Sequence, residues 1–91
     1  MTHVTLDGKN MLRKEDVHPY LKSKLNLNGY YGNNLDALWD ALCSHNEPLQ
    51  INLVHHEQIL EHLKNYGISL IKVFEDAVRE NCHIRFEMGK H

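Results

Sequence analysis

The sequence predicts an α/β fold built around a small parallel sheet, and three observations lead there. The chain has 91 residues, enough for one modest hydrophobic core and too few for a second, so a single domain over residues 1–91 is expected. Three short stretches alternate apolar and polar residues as half-buried strands do. Longer stretches with apolar residues at helical spacing lie between them. Strands separated in this way favour parallel pairing, because a parallel connection needs a crossover long enough to hold a helix.

The first strand is expected over His3–Asp7, closed by the turn Asp7-Gly8-Lys9-Asn10. Val17, Tyr20, Leu21 and Leu25 then recur at helical spacing. Pro19 lacks the N–H that an interior turn uses, so this helix must begin close before it. Asn28-Gly29 punctuates the chain. Leu35, Leu38, Trp39 and Leu42 set one face of a short second helix, with Asn33 as N-cap and Asp36 three residues later in the manner of a capping box. Pro48 closes the next loop, and Leu49–Val54 alternates into a second strand. Ile59, Leu60 and Leu63 support a third helix over His55–Leu63, after which Asn65-Tyr66-Gly67 reads as a break. Leu70, Ile71, Phe74, Ala77 and Val78 define a fourth helix, with Lys72 to Asp76 and Glu75 to Arg79 spaced to pair. The last strand is expected over His83–Met88.

Composition excludes several classes of function. A net charge of -2 with no basic cluster argues against nucleic acid as partner, since phosphate contacts need Lys and Arg. The longest apolar stretches have only a few residues, so no membrane association is expected, and Met1–Asp7 lacks the basic and apolar regions of a signal peptide. A cytoplasmic protein, monomeric when free and without cofactors, is the expectation. Cys43 and Cys82 read as reduced, buried thiols rather than a disulfide. His55, His56, Glu57, Glu61 and His62 crowd the third helix, but Leu60 stands where a metalloprotease motif needs histidine, and the group reads as a polar helix surface.

The informative stretch is Tyr30-Tyr31-Gly32-Asn33-Asn34-Leu35-Asp36-Ala37-Leu38-Trp39-Asp40. Asp36 and Asp40 are four apart and share one helix face, a like-charge pair that costs about 0.2–0.5 kcal/mol. From Leu25 through Leu63 there is no Lys or Arg, so every fixed charge there is negative, which suits docking onto a cationic partner. Tyr30, Tyr31 and Trp39 add rigid amphipathic rings of the kind enriched at protein interfaces, Tyr31 being expected to serve the core as well. An enzyme is not expected, because two acids on one convex helix surface do not converge with their pKa values pushed apart.

This stretch, with Pro48-Leu49, Asn65-Tyr66-Gly67, Val73-Phe74-Glu75-Asp76-Ala77 and Cys82, resembles the barstar family of intracellular inhibitors of bacterial extracellular ribonucleases. The resemblance runs in order over almost the whole chain. It implies a three-stranded parallel sheet packed with about four helices, whose second helix and preceding loop plug the nuclease active site. On that reading Asp40 stands in for the substrate phosphate among cationic side chains, Tyr30 lies against the catalytic histidine, and Asp36 meets the basic rim. Gly32 and Asn34 are implied where the loop backbone and a short amide approach the enzyme, Leu35 and Trp39 in apolar contact, and Asp76 in place of a more distant glutamate. The chain departs from the family at Ser44-His45-Asn46, which replaces a glycine, a tryptophan and a valine. His45 there offers less apolar area. The other reading is a regulatory or immunity-type binding module for a basic protein other than a ribonuclease.

Overall fold

Three strands, β1 (Thr2–Asp7), β2 (Leu49–Val54) and β3 (Ile84–Gly89), pair in parallel in the order β1-β2-β3. The computed structural model describes residues 2–27, 29 and 31–89. The register explains the alternation read from sequence. Val4 lies beside Ile51 and Ile51 beside Phe86, and Leu6 lies beside Leu53 and Leu53 beside Met88, so one face of the sheet is apolar. The opposite face carries His3, Gln50 and Arg85 in one row and Thr5, Asn52 and Glu87 in the next. His3, Thr5, Arg85 and Glu87 are exposed there, which is why both outer strands show mixed polarity.

Four helices complete the architecture: α1 (Lys14–Lys24), α2 (Leu35–Cys43), α3 (His56–Leu63) and α4 (Asn65–Glu80). Val17 and Leu21 of α1, Leu38 and Leu42 of α2, Ile59 of α3 and Leu70, Phe74 and Ala77 of α4 join Leu6, Ile51 and Leu53 in one core. Phe74 stacks on Phe86 with ring centroids 5.1 Å apart, which fixes α4 against β3. Among the described residues, no helix is long and apolar enough to cross a membrane.

The structure corrects three local expectations. Pro19 sits inside α1, five residues after its start, rather than in its opening turn. The hydrogen bond that Pro19 cannot donate to Glu15 lies on an exposed flank, where both residues meet water. The break after α3 falls at Lys64, which takes φ 55, and Asn65-Tyr66-Gly67 is the first turn of α4. Gly67 serves close packing there: a Cβ would stand 2.8 Å from the Ile59 carbonyl oxygen, so the glycine lets the α3–α4 corner close. The cysteines are free thiols, but only Cys43 is partly covered and Cys82 is exposed.

Candidate functional site

Helix α2 displays its two carboxylates because of how its start is made. Asn34 is the N-cap: its side-chain oxygen accepts from the Ala37 N–H at 2.8 Å, and its amide nitrogen donates to the Gly32 carbonyl at 3.2 Å. The cap is therefore one residue later than expected. Asn33 instead takes the left-handed conformation with φ 55, which asparagine tolerates better than most residues, so the Asn-Asn pair divides turn and cap between its members. Asp36 falls within the first turn, where the helix dipole favours an anion. Leu38 and Leu42 are buried, Leu35 and Trp39 pack partly on the core, and Asp36 and Asp40 are exposed. Among the described residues, neither carboxylate has an ion-pair partner.

Asp40 borders an open groove of about 700 Å³ between α2 and the end of α1, lined also by Lys24, Leu27, Tyr31, Gly32, His45 and Glu47. The surface around the acids is thus less uniformly convex than the sequence implied. Of the expected site residues, Gly32, Asn34, Leu35, Asp36, Trp39, Asp40 and His45 lie on α2 or beside it. Tyr30 lies outside the described residues. Asp76 is not gathered into this groove; it lines another hollow with Ile68, Leu60 and Met88. It pairs with Arg79 at 3.8 Å, three residues on rather than with Lys72, so its charge is already shared. Cys43, at the end of α2, lies within reach of the charges of Glu80 on α4 and of Asp40. Burial raises the Cys43 thiol above its ordinary pKa, and the charges of Glu80 and Asp40 raise it further.

Two buried groups that the sequence did not single out lie behind this surface. Asn81, at the end of α4, donates from its amide to the carbonyls of Leu42 at 2.8 Å and His45 at 2.7 Å, while its oxygen accepts from the His83 N–H at 3.0 Å. The last carbonyls of α2 and the start of the Ser44-His45-Asn46 loop are thereby tied to the α4–β3 junction. The other group is His18 on α1, only 4% exposed. Its Nδ1 lies 2.6 Å from the Tyr31 hydroxyl and its Nε2 lies 2.5 Å from the Tyr66 hydroxyl. A buried histidine followed by proline gives no sequence signal of two phenol partners so far along the chain.

Burial, followed by the nearby Lys14 charge, lowers the His18 pKa, while burial raises those of Tyr31 and Tyr66. The cluster is therefore built for neutral rings. Below the ordinary histidine value of 6.5 the unfolded chain takes up a proton that the native His18 resists, so stability should fall as pH drops. Above the ordinary tyrosine value of 10 the unfolded phenols ionise first, and stability should fall again as pH rises. Urea unfolding across this range, with His18 followed by NMR titration, checks both arms. A His18 that titrates at or above the ordinary value contradicts the acid arm.

The histidine-rich stretch at α3 is drawn apart. His55 turns its Nδ1 to Asp7 at 2.9 Å, and His56 faces Glu57 at 3.9 Å. Among the described residues, no three ligating side chains come together to hold a metal.

Comparison with known proteins adds two findings. A family model described as Barstar (barnase inhibitor) matches residues 1–88. A protein of Bacillus subtilis (strain 168) named "Putative ribonuclease inhibitor YrdF" is 36% identical over 81 residues, covering 88% of this chain and 89% of that protein.

Proposed function

The chain belongs to the Barstar family, and on that premise we propose that it is a protein inhibitor of a basic secreted bacterial ribonuclease, acting in the cytoplasm as a monomer until it binds. It cleaves nothing itself. The carrying observation is that Asp36 and Asp40 stand exposed and unpaired among the described residues, on a helix anchored at both ends, within a stretch that has no Lys or Arg. A catalytic cleft that binds RNA phosphates presents cationic donors, and a rigid carboxylate enters it as a phosphate analogue with charge-assisted hydrogen bonds. In this reading Asp40 fills the phosphate position and Asp36 meets the rim. Leu35 and Trp39 supply apolar contact, Tyr30, Gly32 and Asn34 form the approaching loop, and His45 and Asp76 touch the periphery. Complementary charge also speeds encounter.

Occlusion of the active site is competitive with substrate. Steady-state kinetics on a panel of small bacterial ribonucleases should show an apparent KM that rises with inhibitor while kcat holds. Inhibition of none of them, together with purification of an unrelated basic partner, would replace this reading with that of a regulatory or immunity-type binding module.

A further inference from the structure

The loop before α2 is held at both ends by ordinary means. At one end the Leu27 N–H donates to the Lys22 carbonyl at 3.0 Å, and at the other Asn34 caps the helix. Among the described residues from Asn26 to Asn33, Tyr31 is the one that packs on the core. Its hydroxyl ends on His18, whose other ring nitrogen ends on Tyr66. A neutral imidazole donates from one nitrogen and accepts at the other, so it suits one phenol as acceptor and the other as donor. Tyr66 is itself a firm support. It lies in the first turn of α4, beside the close-packed Gly67, with the Lys14 ammonium 4.7 Å over its ring.

We propose that His18 and Tyr66 are positioning residues for recognition: Tyr66 orients the His18 ring, and His18 holds the Tyr31 hydroxyl and with it the backbone at Gly32. Neither touches the partner. The inference rests on the reading of this loop as part of the inhibitory surface, and it extends that surface inward from α2 through α1 to α4. The alternative is that the three rings merely fill the core, in which case losing a hydroxyl loosens everything equally.

The test begins with the free protein, so its result is independent of whether a ribonuclease is the target. Tyr66→Phe removes one oxygen and keeps the ring. Backbone order parameters from 15N relaxation at Tyr31 and Gly32 should fall from the rigid range near ~0.85 toward ~0.6, while those of Ile59 and Leu63, buried on the adjoining helix α3, stay unchanged. Tyr20→Phe is the matched control, since the Tyr20 hydroxyl accepts from the Asp7 N–H at 2.9 Å and lies outside the relay. Because the contacts act in series, Tyr31→Phe combined with Tyr66→Phe should loosen the loop no more than Tyr31→Phe alone. Unchanged order parameters at Gly32, or additive effects of the two substitutions, overturn the proposal. Against a ribonuclease that the wild type inhibits, Tyr66→Phe should weaken binding about three- to tenfold and Tyr20→Phe should not. A loosened loop with unchanged affinity also overturns it, whereas failure of the wild type to inhibit any ribonuclease removes the functional premise and leaves the relaxation result standing.

Discussion

Asp40→Ala is expected to abolish most of the binding energy contributed by side chains while leaving the fold nearly unchanged. Asp40 is exposed, away from the buried Leu38 and Leu42, and its removal relieves the like-charge pair with Asp36, so stability should move by no more than about 0.5 kcal/mol. In the complex its carboxylate would be desolvated among cationic donors. Truncating such a buried charge costs about 2–5 kcal/mol or more, much of it from leaving the partner's cations unpaired. Asp36→Ala should cost less because a rim charge keeps its water. Asp76→Ala should cost less again, since Asp76 is already paired with Arg79 and lines another hollow. Calorimetric titration against the inhibited ribonuclease, with circular dichroism on each variant, measures all three. An Asp40→Ala loss smaller than that of Asp76→Ala would refute the phosphate-mimic geometry even with the family assignment intact.

The opposite pattern is expected at Asn81, where stability should suffer more than the chemistry of recognition. Its side chain reaches one carbonyl at the end of α2, one in the loop that follows and one N–H before β3, within a residue only 7% exposed. Asn81→Ala takes this partner from the His45 carbonyl and the His83 N–H and leaves the Leu42 carbonyl with the His45 N–H at 3.3 Å, at about 1–3 kcal/mol for each group left unpaired that water cannot reach. We expect a total loss of roughly 2–4 kcal/mol, read as a lower urea midpoint with an unchanged slope. The frayed end should include His45, so amide exchange at Ser44 and His45 should rise beyond the global change. A substitution that unfolds no more easily than an exposed one would mean that the staple is redundant.

The strands and helices were legible because each carries its periodicity in local residues. Leu49–Val54 alternates and is a strand; Leu70, Ile71, Phe74 and Ala77 recur at helical spacing and are a helix. What the sequence misplaced were boundaries where two residues compete for one task. Asn33 and Asn34 both suit a turn or a cap, and only the path of the loop decides between them. Gly67 reads as a break because glycine ends helices, yet here it answers the approach of Ile59. That Asp36 and Asp40, the exposed half of the candidate site, share one helix could be read from their spacing. Its buried support could not, because His18 meets Tyr66 and Asn81 meets Leu42 only after the sheet has brought distant segments together.

The strand pairing also governs when the protein becomes useful during its own synthesis. Thr2 pairs with Leu49, and Leu49 with Ile84, so each pairing waits for a crossover holding two helices to close. Such long-range closure slows folding relative to a helical bundle of similar length. On a ribosome adding about 5–20 residues per second, β1 stays without its partner for roughly two to nine seconds. Its polar positions His3, Thr5 and Asp7 make that waiting strand a poor template for aggregation. Helix α2 is made by mid-chain, but Tyr66 and Asn81 come late. On the proposed reading, a newly begun chain would offer no working acidic surface, and inhibition would come only from chains that are essentially complete.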